Sequence, residues 1–393
     1  MLSNRKLILD TFCGVYDLLK SQADGKFWDF SQHTVVPGAV YLMSYKEYAN
    51  NPQVRSLVEQ DTIQLVISMP SEGSLTLIEK CEELQLTDLA LSGKILLLSG
   101  GDMDDRWKHL QYDYFLPSLF NSFSGSVNES SIENIAELNT QALVRSAEIF
   151  NKTEKPYKFL FLNGYLRPHR KYLIEQLDLA GVLNQSLWSN LTAQGSGSRH
   201  FSVMHDGKDL MYNTRPIQYL PTKYELDTYQ TNLTLPVDSV FAKKHLFSST
   251  WGDGLIVPDQ YVDTYFSLVT ETVFDYPYSF RTEKIWKPIA VGHPFIVASN
   301  CGYYRDLHNL GFQTFGHVID ESFDLIENHR DRLDRIVAVV QDLCQQDLAS
   351  FLDACYNVCK YNQQHLAEMR LKVRQEFPDH FFQFINQHER SRV

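Results

Sequence analysis

Six cysteines, at positions 13, 81, 301, 344, 355 and 359, are spread through the chain without a single Cys-x-x-Cys pair. Cys355 and Cys359 lie one helical turn apart with no histidine at ligand spacing, so the six read as buried free thiols of a reducing compartment rather than disulfides or metal ligands. A surplus of positive charge is missing too. The formal net charge of −12 argues against nucleic acid as a partner, because a phosphate backbone needs a basic face. No apolar run approaches the roughly 18 residues that a membrane-crossing helix requires, and the apolar stretch near Met1 is too short to read as a signal peptide. Without an export signal, Asn-x-Ser/Thr tripeptides such as those at Asn128, Asn151, Asn190 and Asn232 are read as chance occurrences. The glycine-rich run at 194–198 has no following Gly-Lys-Ser/Thr and is a flexible loop rather than a P-loop. The expected setting is the cytoplasm, in solution or peripheral to a membrane, with no transmembrane segment.

What is present is an alternation of short apolar runs and amphipathic stretches. At 393 residues with 44% hydrophobic content, the chain suits two domains with substantial cores. In the first half, 63–68 and 94–99 read as buried strands around an amphipathic helix at 75–84. Strand–helix–strand units of this kind build doubly wound parallel sheets. The polar, proline-ended run at 151–156 marks a boundary. A second domain then opens on a strand at 157–162, followed by a helix from Pro168 that ends at Gly181, with proline early and glycine late. Further on, 267–272 reads as a strand, 295–298 as another and 312–315 as the beginning of a third. Between them Thr282 caps a helix that ends at Gly292, bent by Pro288. Helices are expected over 333–344 and 348–369, and the aromatic tail at 377–384 is expected to pack back on the body. The domain limits are therefore 1–150, 157–376, and a C-terminal helix at 377–393.

Two helix openings carry the chemistry. Free N–H groups and the dipole make a helix start attractive to anions. Arg281 and Lys284 flank the start capped by Thr282, with Glu283 beside them. Lysine suits a diphosphate, and a carboxylate suits the paired hydroxyls of a ribose. The plain structural alternative is a solvated, salt-bridged first turn. Arg167, His169 and Arg170 gather at the other start, after Asn163-Gly164, where positive charge opposes the dipole unless an anion binds; a basic surface turn is the alternative. Loops after the first-domain strands place Glu72 and the group Asp102, Asp104 and Asp105 at a ligand crevice. Glu72 or Asp102 would be the base for an acceptor hydroxyl, against the ordinary role of acidic residues in turns.

The segment around Phe280, Thr282-Glu283-Lys284, Trp286-Lys287-Pro288 and Gly292-His293-Pro294-Phe295-Ile296-Val297 resembles the donor-binding segment of GT-B glycosyltransferases. The likeness is to family 10 fucosyltransferases and exostosin-like enzymes. Arg281 stands where fucosyltransferases usually carry a small apolar residue. The resemblance implies two Rossmann-like doubly wound domains facing across a cleft. It assigns the donor ribose to Glu283 and the diphosphate to Lys284, and it places donor phosphates near Asn163, Arg167, His169 and Arg170. It implies transfer of a sugar from a nucleotide diphosphate sugar to a glycan or other hydroxyl acceptor, inverting and metal-independent, with no cofactor beyond the donor substrate. The alternatives on the same scaffold are a non-catalytic nucleotide-sugar-binding module and a sugar-nucleotide epimerase.

Overall fold

The computed structural model describes residues 6–23, 35–118, 143–163, 167–190, 204–205, 208–209, 230–231 and 256–389. It is an α/β protein with two five-stranded sheets made mainly of parallel strands. Its backbone contacts group into two units. One comprises Met1–Tyr114, Met204–Leu210 and Arg370–Val393; the other comprises Phe115–Val203 and Met211–Met369. The glycine-rich run at 194–198 and most of the aromatic stretch 199–250 lie outside the described residues.

In the first unit, β1 (Leu7–Leu9) is followed by α1 (Tyr16–Leu19), β2 (Val40–Ser44), α2 (Tyr45–Asn50) and α3 (Val54–Glu59). Then come β3 (Gln64–Met69), α4 (Ser74–Glu83), α5 (Thr87–Leu91), β4 (Ile95–Ser99) and β5 (His109–Gln111). The strands lie side by side in chain order and all are parallel. A doubly wound sheet reverses direction once; this one does not. Right-handed crossovers that keep stepping the same way deposit their helices on one face; α2 to α5 follow that rule, whereas α1 of the β1–β2 connection packs on the other. Accordingly Tyr48, Val54, Val58, Leu77, Cys81, Leu89 and Ala90 all pack with Tyr41, Leu65, Ile67, Ile95 and Leu97. The alternate residues Val40, Leu42, Val66, Leu96 and Leu98 point to the opposite face. That face is covered by Leu19 and by Phe377, Phe381, Phe382, Phe384 and Ile385. The helical, aromatic end of the chain, together with α1, thus supplies the layer on that face.

The second unit begins with α6 (Phe115–Ser118), α7 (Glu148–Asn151), β6 (Tyr157–Asn163), α8 (Pro168–Leu179) and β7 (Ser186–Asn190). The short antiparallel pair β8 (Met204–His205) and β9 (Lys208–Asp209) groups with the first unit. The second unit continues with β10 (Gln230–Thr231), α9 (Pro258–Val262), β11 (Thr264–Thr270), α10 (Glu283–Val291), β12 (Phe295–Ala298), α11 (Tyr303–Asn309) and α12 (His329–Cys344). The last helix, α13 (Leu348–Glu389), runs unbroken through Pro378. Expected as a helix and a separate tail, it is one element, whose residues group with the first unit from Arg370 onward.

Strand order in the second sheet is β10-β7-β6-β11-β12, parallel except for β10. The chain steps from β6 to β7, then returns to the other side of β6 at β11. The direction of winding therefore reverses between β6 and β11, and crevices at such switch points are where open α/β sheets bind ligands. Residues 115–118 and 143–150, which the sequence reading gives to the first domain, and 151–155 of the boundary run group with this unit. Phe115 meets the Phe280 ring at 6.1 Å, Arg145 pairs with Asp259 at 2.6 Å, and Lys152 with Asp263 at 2.5 Å. The segment 312–315 is not a strand. Its backbone is shared between turns and side chains: Phe312 N–H donates to the Leu307 carbonyl and the Phe315 carbonyl accepts from Val318 and Ile319 N–H, while Asn362 accepts from Gln313 N–H and donates to its carbonyl, and Glu321 accepts from Phe315 N–H.

Candidate functional site

The site begins where β6 and β11 end side by side. Asn163 closes β6 with its side chain buried. Its Oδ1 accepts the Thr270 hydroxyl at 2.8 Å, which fixes the amide across the switch point. The Asn163 Nδ2 group is buried without a hydrogen-bond partner. A buried amide with two idle donors is costly unless a ligand uses them.

α8 starts beside it. Arg167 occupies the N-cap with extended backbone, and Pro168 is the first helical residue. His169 donates from Nε2 to the Glu271 carbonyl at 3.0 Å and stacks on Phe274. Burial, with Arg170 and Arg167 nearby, holds this imidazole well below its ordinary value, so it is neutral at pH 7. Arg170 is also buried and donates to the carbonyls of Thr270 and Glu271. Both residues tie the helix start to the end of β11. His169 adds no charge to an anion site, which corrects its reading as one of three gathered cations. Arg167 remains at the opening, partly exposed.

Glu271 joins the two openings. Its carbonyl receives α8, and its fully buried carboxylate receives the start of α10. Oε1 accepts from Thr282 N–H at 3.1 Å and from the Tyr303 hydroxyl at 3.0 Å. Oε2 accepts from the Thr282 hydroxyl at 2.6 Å and from Thr272 N–H at 3.3 Å. Burial raises this carboxyl, opposed by Lys284 and the Thr282 hydroxyl. In the sequence Glu271 sits near the end of the strand read over 267–272, where it reads as a turn residue or as one approaching the donor, and Tyr303 is not singled out. Their common signal was faint: a glutamate directly after an apolar strand, next to a capped helix.

Thr282 is the N-cap of α10, its hydroxyl oxygen accepting from Lys284 N–H. Glu283 and Lys284 follow. Lys284 Nζ contacts Glu283 Oε1 at 2.5 Å and also reaches the hydroxyls of Thr282 at 3.1 Å and Thr272 at 3.3 Å. The Glu283 side chain is only 8% exposed and that of Lys284 25%, so the pair is not the solvated first turn of the plain alternative. Burial pushes the Glu283 carboxyl up, but Lys284 and Lys287 outweigh it and hold it below its usual range. The site therefore presents a carboxylate and an ammonium fixed side by side. Arg281, immediately before the cap, is buried. Pro288 lies inside a helix that continues to Gly292, whose φ of 73° ends it in the left-handed region.

The first-unit candidates are not assembled in the same way. Asp102 is 69% exposed, and its Oδ1 faces Met103 N–H at 2.9 Å and His109 Nε2 at 3.2 Å, all within its own loop and the next strand. Asp104 accepts from Arg106, which holds its carboxyl below the ordinary range, and Asp105 is exposed. Glu72 sits half-buried in the turn after β3, close enough to Tyr45 that its charge, after burial, raises that phenol. The acidic run 320–324 has structural work: Asp320 pairs with Arg335, Glu321 binds Phe315 N–H, and Asp324 accepts from Tyr304 N–H. Among the described residues no group of three or more His, Cys, Asp or Glu side chains comes together as metal ligands. Comparison with protein-family models, with curated proteins and with solved structures finds no match to this chain.

Proposed function

We propose that the protein is a GT-B glycosyltransferase whose second unit binds a nucleotide diphosphate sugar and whose first unit binds the hydroxyl acceptor. The observation that carries this reading is the Glu271 junction, which brings the starts of α8 and α10 to one switch point beside Lys284. Lys284 and the N–H groups at the two starts take the diphosphate, and Glu283 accepts from the ribose hydroxyls. As the bond from the sugar's anomeric carbon to the diphosphate breaks, negative charge grows on the leaving oxygen. A fixed ammonium and two helix dipoles are suited to stabilise it without reorganising. The acceptor hydroxyl attacks from the opposite side while Glu72 takes its proton. Asp102, engaged in its own loop, is the weaker choice for that base. Cytoplasmic location belongs to the same reading.

That engagement of Asp102 also favours a second reading, a scaffold that holds a nucleotide sugar without turning it over. Thermal shifts with GDP, UDP and their sugars address both. One of these nucleotides is expected to raise the melting temperature of the wild type, with Lys284→Ala and Glu283→Ala each weakening the effect. No shift with any of them counts against both readings. A shift accompanied by sugar transfer that Glu72→Gln abolishes identifies the enzyme; a shift with no transfer or hydrolysis identifies the binding module.

A further inference from the structure

We propose that the carboxyl edge of the first sheet binds a pyranose ring, with Phe12 as the platform on which it stacks. Phe12 is 82% exposed, the most exposed large hydrophobic side chain among the described residues. Its turn is nevertheless fixed from below. The buried Asp10 carboxylate accepts from Phe12 N–H at 2.8 Å and from Ser44 N–H at 2.9 Å, which ties the end of β1 to the end of β2. The Ser68 hydroxyl donates to the Cys13 carbonyl at 2.5 Å, and Cys13 and Val15 are buried. Gly14 has a φ of 78°, and a Cβ there would meet the Pro70 ring at 2.7 Å. A large aromatic side chain is thus held in water by a turn with little freedom to withdraw it.

The loop that this turn touches supplies polar groups. Pro70 leads to Glu72 and then to α4, a ten-residue helix whose N-cap, Gly73, offers no side-chain cap. The first helical residue, Ser74, is buried, and its hydroxyl has no hydrogen-bond partner. A pyranose has one apolar C–H face and a rim of hydroxyls, which suits an exposed ring on a turn that packs, through Gly14 and Pro70, on the loop leading to Glu72 and the start of α4. A lipid or an apolar peptide would need a broader hydrophobic patch than one side chain provides. The role of this edge as the acceptor site rests on the transferase reading; saccharide binding by itself does not.

The test is a printed array of mono- to hexasaccharides probed with the full chain in the absence of nucleotide. The wild type is expected to bind a subset of spots, Phe12→Ala to lose about tenfold or more of that signal, and Phe12→Trp to keep it. Phe12→Ala should melt with the wild type, since the ring is exposed. No binding by the wild type, or equal binding by Phe12→Ala, overturns the proposal. Phe12-dependent binding in a protein that no nucleotide stabilises would leave this site standing while removing the donor site.

Discussion

The Glu271 carboxylate holds Thr282 twice, through its N–H at 3.1 Å and its hydroxyl at 2.6 Å, and so fixes where α10 begins. Replacing Glu271 by Gln leaves one acceptor oxygen for four donors and turns an amide NH2 toward the rest. Unsatisfied buried donors cost about 1–3 kcal/mol, and that much stability should be lost. Tyr303→Phe removes one donor and leaves the other three in place, so its cost should be about 1 kcal/mol. Urea unfolding of the two variants measures both. A Glu271→Gln protein as stable as the wild type would show that the junction is not what positions the helix.

Stability should fall with acid between about pH 6.5 and 3, and two histidines account for part of the slope. His293 is buried, donating from Nε2 to the Thr264 carbonyl while Nδ1 faces the Ser267 hydroxyl. Burial brings it from 6.5 to about 3, and His169 is lowered as well. In that window the unfolded chain binds a proton at each that the folded chain refuses, so stability rises with pH by up to about 1.4 kcal/mol per unit per histidine. Glu283, lowered, acts in the same direction, its contribution being lost as pH falls through its folded value. Glu271, raised, acts in the opposite one, its contribution being lost as pH rises. His293→Gln isolates one proton: its plot of stability against pH should be shallower than that of the wild type below 6.5. Parallel plots would mean that His293 titrates normally in the folded protein.

Local chemistry made much of the second sheet legible. The proline at the start of α8, the threonine cap and glycine stop of α10, and the apolar runs of β6, β11 and β12 each follow from a few neighbouring residues. The segment 312–315 is misread because two phenylalanines around Gln313-Thr314 do not reveal which groups satisfy the backbone; Asn362 and Glu321 take part from 49 and 6 residues away. The winding of the first sheet was illegible for a related reason. Strand order depends on which face the helices choose, and the answer lay in aromatic residues at the far end of the chain. At the site, Glu283 and Lys284 were visible as charges at a helix start. The Glu271 clamp was not, because its partners lie 11 and 32 residues away.

That far end is the next quantity to measure. Phe381 is fully buried, stacked on Phe377 and packed with strand residues of the first sheet. Phe381→Ala should cost about 3–5 kcal/mol, the usual range for emptying a core phenylalanine site. Chains ending before Phe377 should not form a stable first unit, because Leu96, Leu98 and their neighbours would lose their cover. Hydrogen exchange gives the localisation: amides of β2, β3 and β4 should lose protection in Phe381→Ala. Unchanged protection there would mean that another layer suffices on that face.

Gly292 separates backbone strain from crowding. Its φ of 73° lies where only glycine rests easily, and a Cβ would approach the Gln363 amide at 2.6 Å. That amide donates to the Ala290 carbonyl near the end of α10. Gly292→Ala should cost about 1–2 kcal/mol from the left-handed backbone alone, with a further loss if Gln363 is pushed off its carbonyl. In a Gln363→Ala background the crowding is already gone, so Gly292→Ala should there cost only the backbone share. Gly292→Asn, which tolerates this conformation better, should be the milder single change with respect to the backbone. If Gly292→Ala costs the same in both backgrounds, the side-chain contact contributes nothing and strain accounts for the whole effect.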